Sequence, residues 1–204
     1  MSGEVRKNLQ LPDGIRLEVF KSLEAESIIE SGDLKFATDM NASLTWADVE
    51  WMKSITTLPV IVKGVMTKED ARCAVDVGVD AIMVSNHGGR QLDSVSATIE
   101  VLPEIIAAVR GQVPIIVDGG ITKGTDIFKA LAMGADMAFI GRSYLWGLAV
   151  NGQKGVEEIV RLLQHELDNT MALAGCRTIK DITKAHVQHE AHYCMSALAG
   201  IGLE

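Results

Sequence analysis

Leu58-Pro59-Val60-Ile61-Val62-Lys63-Gly64-Val65 and Val113-Pro114-Ile115-Ile116-Val117-Asp118-Gly119-Gly120 follow one pattern. Each opens on an apolar residue and a proline, runs through three β-branched residues, and ends in a charged residue followed by glycine. The two prolines are 55 residues apart. A second shared stretch follows: Gly78-Val79-Asp80-Ala81 aligns with Gly134-Ala135-Asp136-Met137 at an offset of 56. Each copy therefore reads strand, helix (about 68–77, then 124–133), Gly-x-Asp turn, strand. Two copies make four β/α units in tandem, and such regularity is what a (β/α)8 barrel is built from.

Four strands are expected, at 59–63, 81–85, 114–118 and 137–141. Each is apolar at nearly every position, so each should be covered on both faces, as in a parallel sheet or barrel. A full barrel needs eight strands and about 250 residues. Residues 1–43 are poorly periodic, with turns at Leu11-Pro12-Asp13-Gly14 and Ser31-Gly32-Asp33, and cannot supply four more strands. The expected class is α/β, the C-terminal half of a (β/α)8 barrel. The expected organisation is an irregular segment or lid remnant at 1–43, the half-barrel at 44–182 and a tail at 183–204.

Composition narrows the function. The 204 residues carry 19 Lys and Arg against 27 Asp and Glu, a net charge of −8, with no basic run. Nucleic acid is not an expected partner. No stretch approaches the roughly 18 consecutive apolar residues of a membrane helix, and no signal-peptide pattern opens the chain. Cys73, Cys176 and Cys194 are odd in number and unrelated in spacing, which suggests neither a disulfide framework nor a zinc site. An intracellular chain without a membrane or metal partner is expected.

Catalytic residues of a barrel sit at the C-terminal ends of its strands and in the loops that follow. That face reads Lys63, then Ser85-Asn86-His87-Gly88-Gly89-Arg90, then Asp118-Gly119-Gly120, then Gly141-Arg142. Gly119-Gly120 and Gly141-Arg142 are placed to bind a phosphate through backbone N–H groups, with Arg142 as a charge-assisted clamp. The bland alternative is two tight turns and a surface arginine. His87 is a candidate general acid or base, a role that suits histidine as a residue type, and Arg90 can hold a substrate carboxylate or pair with Asp93. Lys63 ends an apolar strand, so a negative group should face it. Asp118, at the equivalent position of the second copy, is one candidate. The developing charge of a reduced cofactor is the other, and position favours it.

Other features point to structure. His186, His189 and His192, spaced by three, read as solvated tail rather than a metal site. Trp46 and Trp51 belong to an amphipathic helix at about 46–55 and read as packing residues. Cys176 should pack at the end of a long helix beginning near residue 155.

The strings Leu58-Pro59-Val60-Ile61-Val62-Lys63-Gly64, Ser85-Asn86-His87-Gly88-Gly89-Arg90-Gln91-Leu92-Asp93, Asp118-Gly119-Gly120 and Gly141-Arg142 together resemble the FMN-dependent α-hydroxy acid oxidases and dehydrogenases, the glycolate oxidase family. Thr170-Met171-Ala172-Leu173-Ala174-Gly175-Cys176 and the segment Glu4 to Pro12 are also similar to that family. Inosine monophosphate dehydrogenase-like and type 2 isopentenyl isomerase-like barrels share the Asp-Gly-Gly and Gly-Arg loops. The His-Gly-Gly-Arg-Gln-Leu-Asp string separates this chain from them.

The resemblance implies oxidation of a small 2-hydroxy acid to the 2-oxo acid, with oxygen as acceptor giving hydrogen peroxide. It implies that His87 is the base, that Arg90 binds the substrate carboxylate, and that Lys63 lies by flavin N1/O2. Ser85 would hydrogen-bond the flavin and Asp118 the ribityl chain. Gly119, Gly120, Thr122, Gly141 and Arg142 would surround the phosphate. The chain departs from the family in lacking the first four strands, and with them the aspartate that orients the histidine. Thr122 stands where the family has an arginine, with Lys123 beside it. Residues 22–41 are short for the family's lid loop, and the chain ends Gly202-Leu203-Glu204 rather than in a Ser-Lys-Leu type address. The expected location is the peroxisome or cytoplasm, and the expected assembly a homo-oligomer or a pairing with a complementary half-barrel. The competing expectation is an inactive half-barrel that binds FMN, phosphate or a partner chain.

Overall fold

The aspartates of the two Gly-x-Asp turns fasten the sheet where its strands begin. Val60 N–H donates to Asp80 Oδ2 at 2.7 Å, and Asp80 N–H returns a bond to Val60 O at 2.9 Å. Ile115 and Asp136 repeat the arrangement, at 2.8 Å in both directions. The repeat in sequence is thus a repeat of hydrogen bonds. The Val60 N–H bond, with Lys53 nearby, holds the Asp80 carboxyl below its ordinary pKa. Lys53 also donates to Gly78 O, closing the same turn from outside.

The computed structural model describes residues 43–190. Four parallel strands, β1 (Ile61–Val65), β2 (Ala81–Val84), β3 (Ile115–Val117) and β4 (Met137–Ala138), lie side by side in chain order. Helix α1 (Trp46–Ser54) precedes them; α2 (Lys68–Asp76), α3 (Thr98–Val109) and α4 (Gly124–Ala132) connect successive strands; α5 (Arg142–Leu173) follows β4. Thr67 caps α2, its hydroxyl accepting from Asp70 N–H at 3.1 Å. Parallel strands joined in order by helices are the β/α units expected from the repeat.

Alternation along the strands separates two layers. Ile82, Val84, Ile115 and Val117 pack with Ala71, Ala74, Leu102, Ile105, Val109 and Ala130 of the helices into the main core. Ala81, Met83 and Ile116 form a small cluster on the opposite face. Every residue of β2 and β3 is buried, as expected. The outer strands correct that expectation: in β1 only Val65 is buried, and neither residue of β4 is. Each outer strand has a neighbour on one side only among the described residues, which leaves Ile61 45% and Met137 51% exposed.

Strand ends also move. The first strand begins at Ile61 rather than Pro59 and runs on to Val65, because its pairing starts at Ile61 with Ala81 and shifts between Lys63 and Val65. Gly64, at φ 102°, absorbs that shift. The fourth strand stops at Ala138, well short of Gly141.

The long helix expected from near residue 155 is the second part of α5, which a break joins to a shorter helix that begins at Arg142. Asn151 (φ −145°) and Gly152 (φ 56°, ψ −138°) leave helical geometry. The chain turns back there so closely that a methyl group on Gly147 or Gly155 would collide with the other's carbonyl. Only glycine permits that approach.

Three side chains outside the sheet are also informative. Trp46 packs against the main core, but Trp51 is 59% exposed and α1 buries no residue, so the packing role holds for one tryptophan of the two. Cys176 is buried with Phe128, Ala132 and Ile182, as expected. His186 is exposed, as expected, yet it is not without contacts: its ring stands edge-on to Phe128 and its Nε2 lies 3.4 Å from Cys176 Sγ. The expectations for residues 1–42, including the Glu4 to Pro12 segment, the two early turns and the lid stretch, and those for His192, Cys194 and the C-terminal residues, lie outside the described residues.

Candidate functional site

Three strands bring one polar cluster together. Lys63 of β1 reaches across β2, where its Nζ donates to Ser85 Oγ at 2.9 Å, and lies 3.4 Å from Asp118 Oδ2 beyond β3. Ser85 is buried, and its Oγ also accepts the backbone N–H of His87 at 3.1 Å. One hydroxyl therefore ties the lysine to the start of the histidine loop. Lys63 is not the buried ammonium the sequence suggests, for its side chain is 44% exposed. It sits on an outer strand and meets its carboxylate over the strand between.

The loop after β2 takes an unusual path. His87, Gly88 and Gly89 form a 3₁₀ turn with φ of 55°, 64° and 73°. Left-handed geometry suits the two glycines, while at His87 it is strained, a feature typical of functional loops. His87 and Arg90 are both exposed on this loop. Among the described residues no ion pair joins Arg90 to Asp93, whose Oδ1 instead accepts Ser94 N–H at 2.8 Å.

The loop after β3 is held from below. Thr98, buried at the start of α3, donates its hydroxyl to Asp118 O at 2.6 Å, with Gly119 O at 3.4 Å. Gly119 and Gly120 follow at φ 88° and 77°. Asn86 Nδ2 donates to Ser96 O at 3.3 Å. Two buried acceptors, Asn86 Oδ1 and Asp118 Oδ1, have no hydrogen-bond partner. Such atoms carry a desolvation cost that a donor-bearing ligand would remove.

Arg142, the first residue of α5, extends its Nη2 to Gly88 O at 3.2 Å, bridging the loops after β4 and β2. Ser143 Oγ donates to Ile121 O at 3.0 Å and links the loops after β4 and β3. An open cleft of about 420 Å³ lies here, lined by Asn86, Gly88, Gly89, Gly119, Gly120 and Arg142 among others. Methyl groups built on Gly89, Gly120 and Gly141 would meet nothing within 4 Å, so backbone faces open space at all three.

The structure thus gathers Lys63, Ser85, Asp118 and the His87 backbone in one cluster, and Gly119, Gly120 and Arg142 around one cleft. It does not bring Thr122 to that cleft: Thr122 N–H and Oγ1 both bond Asp126 Oδ2, at 3.0 and 3.2 Å, capping α4. Sequence reasoning passed over Asn86 and Thr98. The one available signal was that Asn86 belongs to the Ser-Asn-His string; Thr98 gave none.

Known proteins resemble this chain in sequence and in fold. A family model described as FMN-dependent dehydrogenase matches residues 2–189. Peroxisomal (S)-2-hydroxyacid oxidase GLO3 of Arabidopsis thaliana is 48% identical over 188 residues, covering 92% of this chain and 52% of that protein. The 2-hydroxyacid oxidase of Dictyostelium discoideum is 45% identical over 192 residues, 94% of this chain and 50% of that one. A solved structure of mandelate oxidase with benzoyl-formic acid matches with a TM-score of 0.67 and 48% identity, over 70% of this chain and 42% of its own. The chain spans about half the length of the curated relatives it matches. Four tandem β/α units are likewise half of the eight in a (β/α)8 barrel. With a family match running through nearly all of its residues, the chain belongs to the FMN-dependent dehydrogenase family.

Proposed function

We propose that this chain carries the C-terminal half of an enzyme that oxidises a small 2-hydroxy acid to the 2-oxo acid with FMN, oxygen being the acceptor and hydrogen peroxide the second product. The observation that carries the proposal is the Lys63–Ser85–Asp118 cluster, joined through Ser85 to the His87 loop. Its residues fit FMN. The unpartnered Asn86 Oδ1 and Asp118 Oδ1 await donors, which ribityl hydroxyls supply, and the open space at Gly120 and Gly141 admits a phosphate. Bound there, FMN supplies a two-electron acceptor.

The chain's own residues do the rest. Lys63 would offer a positive charge to stabilise the reduced flavin, and Ser85 fixes the direction of that ammonium. Arg90 pairs with the substrate carboxylate, leaving the 2-hydroxy group to His87, which takes its proton. Gly119, Gly120, Gly141 and Arg142 hold the phosphate, with Thr122 beside them, tied through Asp126 to the first turn of the helix that follows. Residues 44–182 form the half-barrel, with a lid remnant at 1–43 and a tail at 183–204. The working assembly is a homo-oligomer or a pairing with a complementary half-barrel, in the peroxisome or cytoplasm.

A second reading is an inactive half-barrel that binds FMN, phosphate or a partner chain. One observation favours it: among the described residues no carboxylate bonds the His87 ring, so nothing there fixes its tautomer. We therefore expect weak or no turnover from the 204 residues alone. Titration of the purified chain with FMN, followed by absorbance, fluorescence and size-exclusion chromatography, tests the site. Saturable binding with a flavin spectral shift supports it, and no binding removes it for this chain. Peroxide formed rapidly from glycolate or lactate would overturn the expectation of weak turnover.

A further inference from the structure

We infer that Thr98 is the positioning residue of the cofactor site. It is among the residues that line the cleft, but its hydroxyl is given to the loop. It sets the loop that supplies Asp118, Gly119 and Gly120. The inference rests on the FMN reading above.

Thr98 is 3% exposed, one of two buried polar residues among those described, and the other is Ser85. Its hydroxyl has one proton, and Asp118 O at 2.6 Å takes it, with Gly119 O more distant at 3.4 Å. The peptide unit that carries the Asp118 carbonyl continues into Gly119 N–H. Pinning that carbonyl therefore orients the peptide plane and fixes the direction of Gly119 N–H. The opposite side of the loop is tied to the sheet, since Asp118 N–H donates to Val84 O at 3.1 Å. Asp118 is thus held at both its N–H and its C=O, which leaves its side chain to pair with Lys63. Space around Gly119 is equally defined: a methyl group there would lie 3.2 Å from Asn86 Oδ1 and 3.4 Å from Thr98 Oγ1. No other side chain could be placed between the threonine and the asparagine without moving one of them.

The test uses Thr98→Val, which keeps the shape and loses the donor, and Thr98→Ser, which keeps the donor and loses a methyl. FMN affinity is read by fluorescence titration and folding by thermal denaturation without FMN. A lost buried hydrogen bond of ordinary worth predicts a fall in affinity of about fivefold to tenfold for Thr98→Val. Thr98→Ser should recover it to within about threefold. Equal affinity of Thr98→Val and the unsubstituted chain, or an equal loss in both variants, overturns the inference. Should the unsubstituted chain bind no FMN, the flavin reading fails separately. Amide exchange at Asp118 N–H then decides the role of Thr98. Exchange at least about tenfold faster in Thr98→Val, with Val84 and Val117 unchanged, supports the latch; equal exchange overturns it. If Thr98→Val does not fold, the comparison of Thr98→Ser with Thr98→Ala, on the same readouts, takes its place.

Discussion

The two copies of the repeat are alike at the end where their strands begin and unlike at the end where they finish. At the start, Asp80 and Asp136 make the same pair of backbone bonds to Val60 and Ile115. At the finish, equivalent positions hold Lys63 and Asp118, opposite charges that meet at 3.4 Å. The starts are fastened identically because they only have to hold the sheet together. On the function proposed above, the finishes diverge because each would offer the ligand something different. Stability and chemistry thus occupy opposite ends of the same strands, as barrel architecture allows.

That contrast can be broken experimentally, most sharply at the finish of β2. In a preparation complemented to turnover, His87→Ala should lower the rate constant for 2-hydroxy acid oxidation by about 10²- to 10⁴-fold. Its thermal midpoint should barely move, since the side chain is exposed. A large loss of stability with unchanged turnover would erase the distinction between the two ends.

Lys63→Met and Asp118→Asn sharpen it next. Each should weaken FMN binding by about tenfold, as expected for a charge-assisted contact. Each should change unfolding free energy by only about 1 kcal/mol, because solvent at the lysine, 44% exposed, screens the pair even though the aspartate is 19% exposed. Chemical denaturation alongside the FMN titration separates the two quantities.

The strand starts should behave in the opposite way. Asp136→Ala removes the bond from Ile115 N–H and should cost about 1 kcal/mol of stability while leaving FMN affinity unchanged. The smallest effect is one of pH. The Asp80 carboxyl sits below its ordinary pKa, chiefly through the Val60 N–H, so the folded state holds its proton more weakly than the unfolded chain. Its contribution is complete above the unfolded value of about 4 and fades as pH falls through the lower folded value. Denaturation midpoints of the chain and of Asp80→Asn should therefore converge in acid and separate toward neutrality. A constant gap from pH 3 to pH 7 would count against the role given to that aspartate.

The sequence carried the architecture because the repeat is written in residue types. Valine and isoleucine runs specify buried strands, and Gly-x-Asp specifies the turn before each second strand. What it did not carry depends on neighbours distant in the chain. The extent of β1 is decided by pairing with Ala81 and by the shift at Gly64, neither visible in the run of Val60 to Val65. The exposure of Ile61 and Met137 follows from sheet position, which composition does not record. In the site, charged and glycine residues at strand ends announced themselves. Thr98 and Asn86 did not, because an ordinary polar residue becomes important only through what it touches, here a carbonyl 20 residues away. Thr122 shows the converse: its place in the string suggests a ligand, while in the structure its N–H and hydroxyl both bond Asp126.

The glycine contact between the two parts of α5 makes a lever of the helix that Arg142 begins. Gly147 is the fulcrum, touching Gly155, and Arg142 lies five residues out. At 1.5 Å of rise per residue that arm is about 7.5 Å long, so a tilt of about 10° at the fulcrum would swing its tip by about 1.3 Å. A functional site tolerates only about 0.5 Å of such misplacement. A methyl group inserted at the fulcrum would therefore be felt at the guanidinium, gearing the bridge between the loops after β4 and β2 to the bare backbone of a helix crossing.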